Sequence, residues 1–175
     1  LEQIIITPGL KPGIFFSMLA VVNPGDEVIY PDPGYPTYGS TTSFIGAKKI
    51  MIPLLEENDF RMSPDDIRGR ITSKTKLIIV NSPQNPTGSV MTKKELDEIA
   101  EIAEEYDIFV VSDEIYSKMT YETKHYTPTV RDEARERTVL LDGFSKYYAM
   151  TGWRLGFMIT PVKMAERLKD FLVTS

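Results

Sequence analysis

A lysine and an arginine lie close together in a glycine-containing segment, residues 143–156. Lys146 directly follows a strand-like run and is flanked by small, apolar and aromatic residues, surroundings that suit a lysine amine to forming a Schiff base. Arg154 follows eight residues later, and a guanidinium can bind a phosphate through two parallel hydrogen bonds. A single lysine or arginine is most often solvated, so these two gain meaning only from partners elsewhere in the sequence.

A carboxylate and a phenol follow another strand-like run, in Asp113-Glu114-Ile115-Tyr116. An aspartate at the end of a strand often caps the next turn, but it can also pair with a cationic group of a ligand. Tyr116 lies three residues after Asp113, about one helical turn, and can face the same site.

An amide and an aromatic ring follow two further strand-like runs. Asn85 lies in residues 82–88, where Asn-Pro and Thr-Gly are typical of a plain turn but also present an amide at the strand end. Tyr35 lies in the proline-rich residues 31–38 and either stacks on a planar ligand or is a surface tyrosine of a rigid loop.

The first strand-like run leads into Gly9, Leu10 and Lys11, before an apolar helix predicted over residues 14–22. Glycine at a strand-to-helix turn lets backbone N–H groups approach an anion, and the helix dipole favours negative charge there. The loop matches neither a Walker A loop nor G-x-G-x-x-G, and by itself a tight turn explains it as well.

These loops together offer a backbone anion site, a stacking aromatic, an amide, a carboxylate, a phenol, an amine and a guanidinium. Pyridoxal phosphate has a matching set of groups: a phosphate, a flat ring, a phenolic oxygen, a basic ring nitrogen and an aldehyde. We therefore predict pyridoxal 5′-phosphate as the cofactor.

Strands alternating with helices must position these residues. The β-rich runs lie at residues 4–6, 27–30, 49–52, 77–80, 108–111, 138–141 and 155–159. Helices are predicted at Thr92–Tyr106, with a capping box of Thr92 and Glu95, from Ser63 onward, and from Pro161 toward Leu172. This alternation predicts an α/β fold, a three-layer αβα sandwich whose mostly parallel sheet has about seven strands. Ligands bind at the carboxyl ends of such strands, where the candidate residues lie.

Composition excludes several classes of site. Among 175 residues there is no cysteine and one histidine, His125, so thiolate and multi-histidine metal sites are excluded and we expect no metal. His125 lies in a polar stretch and is expected to be solvated. The net charge of −5 gives no general attraction to nucleic acid or anionic lipid, and neither is expected as a partner. No run is long enough to span a bilayer and no signal peptide is recognisable, so we expect a cytoplasmic protein.

With these residues in view, the sequence resembles the fold-type I pyridoxal-phosphate enzymes, and within them the class I/II aminotransferases related to aspartate aminotransferase. The resemblance runs from Leu1 to Ser175 as a collinear series of motifs: PGDEV, PDPGYPTY, NPTG, SDEIY and SKxxxMxGWRxG. It implies transfer of an amino group between an L-amino acid and a 2-oxo acid through a Schiff base on Lys146.

The resemblance also implies a role for each candidate residue. Lys146, Asp113 and Tyr116 would be catalytic: Lys146 bonds to the cofactor and shuttles a proton, and Asp113 pairs with the protonated ring nitrogen. Asn85 and Tyr116 would bind the phenolic oxygen, and Tyr35 would stack on the ring. The phosphate would be bound by the remaining candidates, namely Gly9, Leu10, Lys11, Arg154 and Ser145. The bond before Pro86 is expected to be cis. Gly143 departs from the family, because many relatives have a phosphate-binding serine there.

By resemblance, the whole chain, residues 1–175, is the cofactor-binding large domain of a protein about twice as long. Relatives add an N-terminal segment, a small C-terminal domain and a second subunit, so we expect the parent to be a homodimer. Three alternatives stay open: a carbon–sulfur lyase or synthase of the same fold, a cofactor-binding sensor, and a truncated domain without full activity.

Overall fold

The computed structural model describes residues 2–130 and 132–174, and over these ranges seven strands form one sheet. The strands are β1 (Ile4–Thr7), β2 (Glu27–Asp32), β3 (Lys48–Pro53), β4 (Thr75–Asn81), β5 (Phe109–Asp113), β6 (Thr138–Gly143) and β7 (Gly156–Ile159). Their order across the sheet is β1-β7-β6-β5-β4-β2-β3. The predicted number and positions of the strands are confirmed.

One strand runs against the others. β7 pairs antiparallel with both β1 and β6, while the pairs among β2 to β6 are parallel. This confirms the mostly parallel sheet, in which β7 has the reversed direction. The register sets Asn81 beside Asp113 and Gly143 beside Gly156, so the loops that follow neighbouring strands meet at one edge.

Helices cover both faces of the sheet. The α-helices are α1 (Leu10–Val21), α2 (Pro36–Ile45), α3 (Pro64–Arg68), α4 (Lys93–Glu105), α5 (Asp132–Arg135) and α6 (Val162–Thr174). Side chains of α1, α2 and α6 pack on one face of the strands, and side chains of α3 and α4 pack on the other. Two apolar cores separated by the sheet make the predicted three-layer αβα sandwich.

The predicted helix starts rest on local hydrogen bonds. Thr92 accepts from the Glu95 amide while the Glu95 side chain accepts from the Thr92 amide, which is the expected capping box. Ser63 caps α3 by accepting from the Asp66 amide. Of the helices in the described ranges, none has both the length and the apolarity that crossing a bilayer requires.

The start of α1 was predicted wrongly. The helix begins at Leu10, four residues before the predicted start at Ile14, so Leu10 and Lys11 belong to its first turn. Pro12 fits there because the first amides of a helix have no acceptor within the helix. Gly9 becomes the N-cap, with φ 86° and ψ −177°, a conformation essentially restricted to glycine.

Candidate active site

A cavity of about 380 Å³ opens at the carboxyl ends of the central strands. Nine of the ten predicted site residues line it, namely Leu10, Lys11, Tyr35, Asn85, Asp113, Tyr116, Ser145, Lys146 and Arg154. Four unpredicted residues, Tyr38, Asn81, Ile115 and Thr151, complete the lining. Gly9 is not in the lining but lies against Arg154 at its edge. Residues spread over the whole sequence therefore meet in one place.

A buried carboxylate forms the floor of the cavity. Asp113 is the last residue of β5 and is 2% exposed. Its Oδ2 accepts a 2.6 Å hydrogen bond from the Tyr38 hydroxyl, and its Oδ1 accepts from the Ile115 amide at 3.3 Å. Burial raises the pKa of Asp113 to about 6; the two hydrogen bonds oppose this rise, and the nearby carboxylates of Asp142 and Glu114 add to it. A cation bound beside Asp113 would lower this pKa again and stabilise the charged form.

Asn81 and Asn85 are joined by a hydrogen bond in the loop after β4. Asn81 Nδ2 donates to the backbone oxygens of Asp113 and Pro83, at 3.0 and 3.2 Å, and Asn81 Oδ1 accepts from the Asn85 amide at 2.8 Å. These bonds tie the ends of β4 and β5 together and hold Asn85 at the cavity wall. The Asn85–Pro86 peptide is cis, as expected.

The amine and the phenol predicted to act together are neighbours. The Lys146 Nζ atom lies 5.6 Å from the centroid of the Tyr116 ring. The side chain of Lys146 is exposed, so the apolar enclosure suggested by its sequence neighbours is not present. The amine is thus accessible from the cavity, and the aromatic residue beside it belongs to the β5 loop.

The opposite wall carries positive charge and backbone donors. The Arg154 guanidinium lies so close to Gly9 that a β-carbon at Gly9 would overlap it. Arg154 also donates to the backbone oxygens of Thr151, at 3.1 Å, and Pro8, at 3.4 Å. The amino-terminal end of α1 starts at this point with no acidic residue in its first turn. A guanidinium beside a helix N-terminus favours an anion.

The aromatic wall is held by α2. Tyr35 is the N-cap of this helix, and its ring meets the Tyr38 ring edge-on with 5.8 Å between centroids. Lys11 also lines the cavity, with Nζ 6.0 Å from the Tyr35 centroid.

Among the described residues, no group of three or more His, Cys, Asp or Glu side chains could hold a metal ion. The Arg154 guanidinium, the Tyr35 ring and the Asp113 carboxylate of the lining suit an organic ligand with an anionic group, a flat ring and a cationic centre.

The sequence model of the family described as "Aminotransferase class I and II" matches residues 1–173. The chain belongs to this family. It is 41% identical over 171 residues to an aspartate aminotransferase of Pyrococcus abyssi, covering 97% of this chain and 44% of the relative. It is also 41% identical over 170 residues to aromatic-amino-acid aminotransferase 2 of Thermococcus litoralis, with the same coverage of 97% and 44%.

Solved structures of family members match the fold closely. The aspartate aminotransferase of Thermus thermophilus, in a structure with maleate, superposes with a TM-score of 0.95 at 37% identity, over 99% of this chain and 45% of that one. The aromatic aminotransferase of Pyrococcus horikoshii superposes with a TM-score of 0.93 at 39% identity, over 97% and 46%. This member of the class I and II family spans less than half the length of these relatives.

Of the four lining residues that were not predicted, Tyr38 and Asn81 have side chains that hydrogen-bond to Asp113. Tyr38 is fully buried, and burial together with the Asp113 charge raises its pKa well above the ordinary value, so the phenol remains a hydrogen-bond donor. The signal that could have found it is helical spacing, because Tyr38 lies three residues after Tyr35 on α2, a helix that was not predicted. Asn81, at the end of a recognised strand, could have been found as a second amide.

Packing explains the family departure at Gly143. A β-carbon there would lie 3.0 Å from the Gly156 α-carbon and 3.1 Å from the Leu155 backbone oxygen. Serine at this position would require the β6–β7 ends to shift, which is why the glycine suits this chain.

His125 is not solvated as predicted: its side chain is 16% exposed, and its Nε2 lies 2.7 Å from Glu114 Oε2.

Proposed function

We propose that residues 1–175 form the large, cofactor-binding domain of a pyridoxal-5′-phosphate-dependent aminotransferase. The protein would transfer an amino group between an L-amino acid and a 2-oxo acid. The observation that carries the proposal is the single cavity that gathers Lys146, Asp113, Tyr116, Asn85 and Arg154. The family membership and the names of the relatives support the same activity.

The donor set fits the cofactor at both ends. Gly9, the α1 N-terminus and Arg154 form a cradle for the phosphate. Asp113 is a buried carboxylate whose hydrogen-bond donors, among the residues that the structure describes, are the neutral Tyr38 hydroxyl and the Ile115 amide. Burial raises the pKa of Asp113, and a protonated pyridine nitrogen would offset this cost. When bound, pyridoxal phosphate supplies an electron-withdrawing ring that stabilises charge at the substrate α-carbon.

The chain's own residues would bind the cofactor, orient it and move protons during amino-group transfer. Lys146 would bind the cofactor by condensing its amine with the aldehyde, with loss of water, and would later move a proton at the substrate α-carbon. Tyr116 and Asn85 would hydrogen-bond the phenolic oxygen, and Tyr35 would stack on the ring. Leu10, Lys11 and Ser145 also line the cavity and would complete the phosphate site.

We also propose a homodimer in the cytoplasm as the assembly and location of the parent protein. The chain covers 44% of the Pyrococcus abyssi relative, so further polypeptide and a second subunit would complete the substrate site. In such closed two-fold assemblies the same surface of each subunit meets its copy. The partners would be small-molecule amino acids and 2-oxo acids.

The phosphate cradle can be tested separately. Gly9→Ala should weaken the binding of pyridoxal phosphate about tenfold or more. The added carbon would displace Arg154, which would then lose the charged hydrogen bond that it would donate to the phosphate. Absorbance titration gives the affinity. Gly25→Ala is the matched control, since Gly25 has φ +89° against +86° at Gly9 but no atom within 4 Å of the added carbon. Equal loss of affinity in both variants would mean that backbone strain alone is responsible.

The proposed function is tested by trapping the cofactor. Pyridoxal phosphate added to the purified chain should give a yellow protein, and borohydride followed by peptide mapping should place the label on Lys146. Aspartate should then convert the bound aldehyde to the amine form in a single turnover, far more slowly than in an intact relative, because substrate orientation contributes several kcal/mol to catalysis. Label spread over many lysines would contradict the proposal.

A further inference from the structure

A lysine outside the cavity is held between two tyrosines that follow Lys146. The Lys118 Nζ atom donates a 2.7 Å hydrogen bond to the Tyr148 hydroxyl and lies 4.9 Å from the centroid of that ring. It also lies 5.6 Å from the Tyr147 centroid. The hydrogen bond to Tyr148 raises the pKa of Lys118, so the ammonium remains charged. We call Lys118, Tyr147 and Tyr148 the Lys118 clasp.

The clasp joins two loops that follow different strands. Lys118 belongs to the loop after β5, two residues beyond Tyr116, and the tyrosines belong to the loop after β6, directly after Lys146. Between these loops Lys146 Nζ lies 5.6 Å from the Tyr116 centroid. Ser117 adds a weaker link, a 3.4 Å hydrogen bond to Asp142 Oδ2. The groups that face each other in the cavity are thus tied together just outside it.

The Lys146 loop is exposed and is held by side-chain contacts and by backbone hydrogen bonds within it. Lys146, Tyr147, Tyr148 and Ala149 are all exposed, and Ala149 has φ 53°, a left-handed conformation that is unfavourable for alanine. The Tyr148 ring contacts the Tyr147 and Phe144 rings, with centroids 5.1 and 5.4 Å apart. Two backbone hydrogen bonds join residues of the loop, at 3.1 Å from Ala149 to Lys146 and 3.3 Å from Met150 to Phe144. A loop with exposed hydrogen bonds and little buried side-chain area opens readily. Side-chain contacts therefore carry much of its order.

We infer that Lys118 is a positioning residue for Lys146, holding the lysine loop against Tyr116 through contacts with Tyr147 and Tyr148. Cation–π contacts at exposed sites change an equilibrium by a factor of about two to five each. Loss of the clasp would leave the phosphate cradle and Asp113 in place, since Lys118 contacts neither. The expected defect is therefore in the attachment of the cofactor rather than in its first binding.

The loop itself is tested without cofactor. Lys118→Met keeps the aliphatic stem but removes the charge and the donor, and hydrogen exchange of a peptide covering residues 144–150 should become about fivefold faster. Lys124→Met is the matched control: Lys124 is equally exposed and lies 5.5 Å from the Tyr126 centroid, in a part of the chain that does not line the cavity. Equal exchange in the wild type and Lys118→Met would overturn the inference.

The consequence at the cofactor rests on the proposed function. In stopped-flow mixing with pyridoxal phosphate, Lys118→Met should leave the initial affinity unchanged and slow covalent attachment at Lys146 about fivefold. Lys118→Arg should restore the rate, and Tyr148→Phe should give part of the loss, because it removes only the hydroxyl. An unchanged rate, or a loss of affinity without a change in rate, would contradict the role. If the wild type fails to attach cofactor, the proposed function fails, while hydrogen exchange still decides the role of Lys118.

Discussion

Replacing Lys146 by alanine should abolish covalent attachment of pyridoxal phosphate and lower amino-group transfer by about a thousandfold or more. The variant removes the cavity-lining amine that lies 5.6 Å from the Tyr116 ring centroid, where it would both bond to the aldehyde and move the proton. Non-covalent binding should persist, because Arg154, the α1 N-terminus and Asp113 do not depend on Lys146. Borohydride trapping measures the attachment, and equilibrium dialysis measures the residual binding.

The matched control for Lys146→Ala is Lys124→Ala, which removes an exposed lysine that does not line the cavity. Labelling and transfer should be unchanged in this variant. If Lys146→Ala retains the yellow colour, with label on another lysine, then that other lysine forms the Schiff base. A result in which binding is lost together with attachment would mean that the phosphate and ring contacts are too weak to hold the cofactor alone.

The sequence was sufficient to predict most of the sheet for a physical reason. The runs at residues 77–80 and 108–111 are continuously apolar because both faces of β4 and β5 are covered, and such short runs are typical of strands buried on both faces. The capping box at Thr92 was equally readable, because it depends only on residues three apart. Because parallel strands end at one edge, the candidate residues after them could be grouped before the structure was known.

What the sequence left out depends on tertiary contacts. Helix α2 reads as a polar, serine- and threonine-rich segment, and it forms because Tyr38, Thr42 and Ile45 pack into the core. The partial burial of His125 accompanies its contact with Glu114, a carboxylate eleven residues away that directly follows β5. The exposure of Lys146 likewise follows from a loop conformation, with φ 53° at Ala149, that composition does not predict. Local patterns contain no information on such contacts.

Asp113→Asn should make the cofactor-free protein more stable at neutral pH. The pKa of Asp113 is about 6 in the fold against an ordinary value of 3.8, mainly because the carboxyl is buried. The native state therefore binds more protons than the unfolded state between these values, and the free energy of unfolding falls as the pH rises through that window. Asparagine has no charge to bury: its Oδ1 can still accept from the Ile115 amide, and its Nδ2 can donate to the Tyr38 hydroxyl, which then acts as the acceptor.

The stability difference between Asp113→Asn and wild type should grow from about pH 4 to pH 6 and stay constant above, at up to about 3 kcal/mol. Urea unfolding at a series of pH values measures it. Tyr38→Phe provides a control that should raise the pKa of Asp113 further, because it removes a hydrogen bond that favours the charged carboxylate. In this variant, the pH range over which the free energy of unfolding falls should therefore extend to higher pH than in the wild type. A pH-independent difference for Asp113→Asn would mean that Asp113 is not the group that titrates.

With cofactor present, the stability advantage of the variant should shrink. The carboxylate that is costly when alone would pair with the protonated pyridine nitrogen, so Asp113→Asn should weaken cofactor binding by about tenfold to a hundredfold, which offsets about 1.4 to 2.7 kcal/mol of that advantage at saturating ligand. Thermal unfolding with and without saturating pyridoxal phosphate tests this, since wild type should gain more from the ligand than the variant. A substitution that only disturbed packing would lower stability in both states. Higher stability without cofactor together with a smaller gain from the ligand requires a charge at Asp113 that the ligand neutralises.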